Sequence, residues 1–215
     1  MQIVDVKYLK FKDAQKLSKY FKSNTILGRY TIQFQSEYFN PNNTFENIFI
    51  ELNDSFPDFN KHVCCHDRDI ESESEHNIVE YGNHMDIPHL LEHLVIEILS
   101  IIEPEKRFTG TTCQYEDDKY KFDIFINVRN PRVGLFAFHM AWSIISSILY
   151  KETLTQIFKQ LILVASYIIN FHGQNISRTS LQEQFKYQAP VIEQALVLLE
   201  EFALISEYND EEVLM

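Results

Sequence analysis

The clearest periodic pattern in this 215-residue chain lies in Asp86-Ile-Pro-His-Leu-Leu-Glu-His-Leu-Val-Ile-Glu97. Apolar residues recur there at spacings of three and four as far as Ile102, which is typical of an α-helix with one buried face. Asp86 is placed to cap the helix N-terminus, and Pro88 is tolerated in the first turn. The two histidines and two glutamates fall on a separate stripe. The segment is therefore predicted to be a core helix with one polar face.

His89, Glu92 and His93 form the pattern H-x-x-E-H within this helix. Two imidazoles four residues apart share one helix face and can bind a single Zn²⁺. Glu92 leans toward the same face, where it can take a proton from a water molecule that the metal acidifies to a pKa of about 7. This spacing is the signature of the inverted zinc hydrolases. It predicts that His89 and His93 ligate zinc and that Glu92 is the general base.

The third zinc ligand is left open by the sequence. Glu97 lies on the same side of the helix, but eight residues place it about 12 Å from His89 along the axis, a long span for one ion. We prefer Glu97 as the third ligand. In the alternative, Glu97 does not bind the metal but orients the imidazole of His93, and Cys113 or Glu116 from the downstream hairpin is the third ligand.

Composition limits the possible partners and the compartment. Nineteen Lys and Arg against 31 Asp and Glu give a net charge of −12, which argues against a nucleic-acid partner because phosphate binding needs a basic surface. The three cysteines (Cys64, Cys65 and Cys113) are odd in number and lack framework spacing. We therefore expect reduced thiols in a cytoplasmic protein, and charged residues near the N-terminus interrupt any secretory signal.

The segment from Val133 to Tyr150 contains no Asp, Glu, Lys or Arg and approaches the length of a membrane span. His139 and three serines interrupt its apolar character. A helix buried in a protein core fits this composition better, so we expect no membrane partner.

Residues 1–150 are predicted to form an α+β domain with a mainly antiparallel sheet, because the strands are grouped and do not alternate with helices. The predicted order is ββααββα. Its elements are strands over Ile3–Phe11 and Arg29–Gln35, a helix from Thr44 to about Phe56, the motif helix, strands over Thr111–Glu116 and Lys119–Val128, and a helix from Arg132. A further short helix is predicted over Asp13–Lys22, and the Thr109–Thr112 loop is placed to donate backbone hydrogen bonds to an oxyanion.

Residues 151–215 are predicted to form a separate, small winged-helix-like module. Helical periodicity over 154–171, 180–187 and 190–202 is followed by a candidate strand at Leu204–Tyr208 and an acidic tail. Nine Asp and Glu against four Lys and Arg argue against DNA binding. A homodimer contact or a protein partner is the better interpretation.

Residues 1–150 resemble the N-terminal domain of cyanophycin synthetase. His89-Leu-Leu-Glu-His-Leu-Val-Ile-Glu97 is similar to that family's H-V-V-E-H-V-A-L-E segment. Tyr30-Thr-Ile-Gln-Phe34 and Phe59-Asn-Lys-His-Val-Cys64 stand where the family has a strand and an H-x-C loop. Phe108-Thr-Gly-Thr-Thr112 stands where the family has F-G-R-T.

The resemblance implies a zinc-metallopeptidase-like domain, which in some members trims an aspartate–arginine polymer into primers. Polymer synthesis is not expected, because this sequence carries no ATP-grasp or ligase segment. The chain also lacks the loop arginine of F-G-R-T, and its Cys64 and Cys65 are adjacent where the family separates its cysteines. The substrate is thus open.

Three interpretations follow. The first is a zinc-dependent hydrolase of amide or peptide bonds that acts on cyanophycin-like or other peptide substrates. The second is a non-catalytic binding or scaffold module that retains the fold. The third is an interaction protein in which His89 and His93 are only part of a solvated polar face, because short motifs also arise by chance.

Overall fold

Eight strands and six α-helices make up the part of the chain that the computed structural model describes, which is residues 1–34, 45–64, 76–77, 86–151, 155–171, 176–187, 189–208 and 213–214. In chain order they are β1 (Gln2–Lys10), β2 (Ile26–Gln33), α1 (Phe45–Ser55), β3 (Val63–Cys64), β4 (His76–Asn77), α2 (Ile87–Ile102), β5 (Gly110–Gln114), β6 (Lys121–Asn127), α3 (Pro131–Leu149), α4 (Thr155–Asn170), α5 (Arg178–Phe185), α6 (Ala189–Glu201), β7 (Glu207–Tyr208) and β8 (Val213–Leu214).

An antiparallel sheet with the strand order β1-β2-β6-β5 supports the first part of the fold. Both faces of the two central strands carry apolar residues. Tyr30 and Ile32 of β2 and Ile124 and Ile126 of β6 belong to the main core with the helices, whereas Leu27 and Phe125, at alternate positions, belong to a second, smaller cluster. The described strands leave β5 at one edge of the sheet, beside the helix α2.

The helix α2 packs against β5 and β6 on one side and against α3 and α4 on the other. Leu90, Leu94 and Ile98 have no exposed surface, as the spacing of the apolar residues predicts. The carboxylate of Asp86 accepts a hydrogen bond of 3.0 Å from the backbone N–H of His89, which satisfies one of the free donors at the helix start. The predicted core helix is confirmed.

The helix α3 is long and apolar enough to cross a membrane by length and composition alone. Within the fold, 61% of its apolar window is buried. The ring of Phe138 stacks on Tyr30 with 4.1 Å between their centroids. The helix therefore packs as a core helix against the sheet, as the sequence predicts.

The α+β fold and the order of its large elements are confirmed, with the two-residue strands β3 and β4 paired between α1 and α2. The predicted helix over Asp13–Lys22 is wrong, because only the 3-10 turn Ala14–Lys16 forms. The chain must reverse there to pair Lys10 of β1 with Ile26 of β2. A helix of ten residues gains too little to oppose this constraint.

The C-terminal helices share the core of the first 150 residues. One buried apolar cluster runs from Tyr30 to Ile205. The hydroxyl of Ser166 in α4 donates to the carbonyl of Ile101 at 2.8 Å, and the amide of Asn170 donates to the carbonyl of Ile102 at 2.6 Å. The strands β7 and β8 pair after the last helix. A domain boundary at residue 150 and a winged-helix-like module stay predictions.

Gly134→Ala should destabilise the protein, although alanine is favoured over glycine in a helix by about 1 kcal/mol. A Cβ at Gly134 would lie 2.8 Å from Cγ1 of Val128 and 3.1 Å from the hydroxyl of Tyr30. Overpacking of this kind typically costs about 1–3 kcal/mol, so we expect a net loss of about 1 kcal/mol in urea unfolding. In a Val128→Ala background the same substitution should stabilise. Equal effects in both backgrounds would contradict this account.

Candidate metal centre

His89, Glu92 and His93 bring their ligand atoms together at the start of α2. These atoms lie within 4.8 Å of one another, so the group can hold a metal ion. The two Nε2 atoms of His89 and His93 are 3.1 Å apart. Two nitrogens bound to one tetrahedral zinc ion at its usual bond length are separated by about 3.3 Å. The spacing of the two imidazoles therefore fits a single ion.

Two of the three residues of this group are buried. Glu92 and His93 are only 5% and 4% exposed, whereas His89 is half-buried. His89 is therefore the most exposed residue of the three.

The carboxylate of Glu92 is held by the edge strand β5. The hydroxyl of Thr112 donates a hydrogen bond of 2.6 Å to Oε2 of Glu92. Gly110 stands beside the other carboxylate oxygen, since a Cβ there would lie 2.7 Å from Oε1. A larger residue at this position would force the buried side chain of Glu92 to shift.

Burial controls the protonation of Glu92 and His93. Removal from water raises the pKa of Glu92 to about 8, with a further increase from Asp86 that the hydrogen bond from Thr112 opposes. Burial also lowers the pKa of His93 well below its usual value, helped by repulsion from His89 and His62. His93 is thus neutral at physiological pH, which is the form that a metal ion binds.

Glu97 makes a different contact from the one we preferred in the sequence. Its Oε2 accepts a hydrogen bond of 2.8 Å from Nε2 of His62. The Nδ1 of His62 in turn lies 3.2 Å from Nδ1 of His93. Glu97 is 6% exposed and is not part of the cluster of His89, Glu92 and His93. Its role as third ligand stays a prediction.

The two alternative ligands also lie outside the cluster that the described residues form. Cys113 packs with Ala14, Phe21, Leu27 and Phe125 in a second apolar cluster, and burial raises the pKa of its thiol. Glu116 is exposed beyond the end of β5. Cys65 lies outside the described residues.

The sequence left the Cys and His of 62–67 open as metal ligands but favoured a polar loop there, and it predicted neither the contact of His62 with His93 nor the role of the Thr112 hydroxyl. His62 stands at the start of a polar, irregular stretch and is 31 residues from its partner His93. It follows the turn Phe59–Lys61, where the buried ring of Phe59 packs against the imidazole of His62. Thr112 was expected to offer its backbone to an oxyanion. The alternation along β5, which turns every second side chain toward α2, was the available signal.

The family model described as "Cyanophycin synthase-like N-terminal domain" matches residues 30–150. The matched region is more than half of the chain and contains the second half of β2, the motif helix α2, the strands β5 and β6, and α3. No curated protein matches the chain at a significant level.

Glu92→Gln should stabilise the metal-free protein, and the gain should depend on pH. The pKa of Glu92 is about 8 in the fold against 4.5 as its ordinary value. Between these values the unfolded chain is ionised while the fold keeps its proton, so wild-type stability falls as pH rises from about 4.5 to 8. Glutamine does not titrate. In urea unfolding with chelator, we expect no gain at pH 4.5 and a few kcal/mol at pH 8.

The matched control is Glu105→Gln at an exposed position after α2. A gain for Glu92→Gln that is the same at pH 4.5 and pH 8 would show that its burial does not act through ionisation.

Proposed function

Because the chain belongs to the family of cyanophycin synthase-like N-terminal domains, we propose that it is a zinc-dependent hydrolase of amide or peptide bonds. The observation that carries this proposal is the pair of Nε2 atoms of His89 and His93, 3.1 Å apart, with the buried carboxylate of Glu92 beside them. A divalent ion held by two neutral imidazoles next to a general base is the arrangement that metal-assisted hydrolysis requires.

His89 and His93 would hold the ion through their Nε2 atoms. Zinc in this position supplies a Lewis acid that polarises the amide carbonyl and brings the pKa of a water molecule to about 7. The side chains of His89 and His93 fix where that chemistry takes place, because both project from the first turns of a helix that is packed on both sides.

Glu92 would carry the proton. The hydroxyl of Thr112 is bound to Oε2, so Oε1 is the oxygen that we propose accepts a proton from the attacking water. A divalent ion at His89 and His93 would favour the ionised form of Glu92, which is the form that accepts a proton from water and can return it to the leaving amine.

A peptide or an aspartate–arginine polymer of the cyanophycin type is the substrate class we propose, and the family match supports the polymer as the first candidate. Hydrolysis at His89, Glu92 and His93 itself needs only an amide bond that can reach the half-buried side of the centre.

A second candidate is a binding module that keeps the metal but has no catalytic activity. The sequence Phe108-Thr-Gly-Thr-Thr112 favours it, because the loop lacks the arginine of the related F-G-R-T segment. Loss of a cation beside a hydrolytic centre removes one source of substrate binding or charge stabilisation.

Metal content is the first test of the centre. Protein purified without added metal should contain close to one zinc ion per chain, and His93→Ala should contain none, because a single imidazole does not retain the ion. Elemental analysis gives both values, with His139→Ala in α3 as a matched histidine control. Wild type that stays metal-free after zinc is added would overturn the proposal.

Glu92→Gln should abolish amide hydrolysis while zinc content is unchanged. Loss of a positioned general base typically costs about 100- to 10,000-fold in rate. The measurement is release of new amino groups from an aspartate–arginine polymer and from a mixed peptide library, with Glu105→Gln as the control. Hydrolysis retained by Glu92→Gln would refute its role, whereas zinc-loaded wild type that is inert toward all of these substrates would favour the binding module.

A further inference from the structure

A row of hydrogen-bonded side chains leads away from His93 on the side opposite to the metal-binding nitrogen. The Nδ1 of His93 lies 3.2 Å from Nδ1 of His62, and Nε2 of His62 lies 2.8 Å from Oε2 of Glu97. The side chains of His62 and Glu97 are 13% and 8% exposed, so water has little access to the row. These contacts connect α2 to the turn that precedes β3.

The direction of each hydrogen bond decides which tautomer of His93 the row favours. A carboxylate oxygen accepts, so Nε2–H of His62 donates to Oε2 of Glu97. With that single ring proton, Nδ1 of His62 is an acceptor, and its neighbour at 3.2 Å is Nδ1 of His93. This arrangement favours a proton on Nδ1 of His93. The Nε2 of His93 is left with its lone pair, on the side of His89.

We propose that His62 and Glu97 are positioning residues that hold His93 in the Nδ1–H tautomer, so that its Nε2 is ready to bind the metal ion. The proposal rests on the metal site of the proposed function but does not depend on hydrolysis. It assigns Glu97 to the row behind His93 in place of direct ligation, and it gives His62 a positioning role.

The alternative role for Glu97, direct ligation, has less support from the geometry. The carboxylate is already bound to His62 at 2.8 Å, and the cluster with converging ligand atoms contains His89, Glu92 and His93 without it. A carboxylate that binds the far side of a metal-ligating imidazole raises the basicity of that imidazole and fixes its ring. Here the imidazole of His62 lies between Glu97 and His93, so the carboxylate acts on the orientation and basicity of His93 through His62.

The tautomer can be measured without metal or substrate. We would record long-range ¹⁵N–¹H correlation spectra of the metal-free full chain at pH 8, where an ordinary imidazole is neutral. The proposal expects a protonated Nδ1 and an unprotonated Nε2 for His93. A proton on Nε2 of His93 in the wild type would overturn it, and this result requires no variant to fold.

Zinc affinity then tests how the row acts. Glu97→Gln and His62→Phe should each weaken zinc binding by about 10- to 100-fold, as measured by competition with a chromophoric chelator. Phenylalanine keeps a ring against Phe59 but removes the acceptor for His93. Asp123→Asn is the control for Glu97→Gln, because Asp123 is a buried carboxylate bound to Thr31 and Tyr115.

The double variant separates positioning from ligation. If Glu97 acts only through His62, zinc binding to Glu97→Gln/His62→Phe should be no weaker than to His62→Phe alone. A further loss in the double variant, or a loss for Glu97→Gln far beyond that for His62→Phe, would identify Glu97 as a direct ligand and overturn the proposal.

Failure of the proposed function would be visible separately. A chain that binds zinc, shows the expected tautomer and hydrolyses no amide would keep the row and refute the hydrolase. A wild-type chain that binds no zinc would refute the metal centre in its own right, while the tautomer measurement would still report on His62 and Glu97.

Discussion

The burial of α2 on two sides is the constraint on which the rest of the site depends. The helix packs between the sheet and two other helices, so its polar residues as well as its leucines are removed from water. A buried carboxylate or imidazole without a partner costs several kcal/mol. Thr112 in β5 is the hydrogen-bond partner of Glu92, and His62 in the turn before β3 is the partner of His93. The packing of the helix therefore determines which side chains surround the centre, and those side chains in turn hold Glu92 and His93 in place.

The same burial leaves the metal-free centre poorly stabilised. Glu92 has a raised pKa and His93 a lowered one, which means that the fold opposes charge on both. A divalent cation favours the ionised carboxylate and the neutral imidazole at once, so it would offset the penalty that packing imposes. Relief of this penalty would therefore contribute part of the free energy of metal binding. A site on an exposed helix face would lack this coupling between folding and binding.

Local patterns in the sequence predicted the local parts of the structure. The helix α2 and the convergence of His89, Glu92 and His93 follow from spacings of three and four residues, and the β5–β6 hairpin follows from alternation near a turn. The contacts of His93 with His62 and of Glu92 with Thr112 span 31 and 20 residues, and no local pattern encodes them. The helix predicted over Asp13–Lys22 was wrong for a related reason, because the pairing of β1 with β2 requires a chain reversal there. Long-range packing thus decided each feature that the sequence left open.

The hydrogen bonds from α4 to the last turn of α2 connect the centre to chain beyond the matched family region, which ends at residue 150. Ser166 and Asn170 donate hydrogen bonds to the carbonyls of Ile101 and Ile102. In many helices the last carbonyls are instead satisfied by a glycine cap at the C-terminus. The far end of the helix that carries the histidines therefore depends on residues of the C-terminal extension. A change in α4 that keeps its apolar face but loses these two donors would leave the carbonyls of Ile101 and Ile102 without these bonds and would loosen the end of α2.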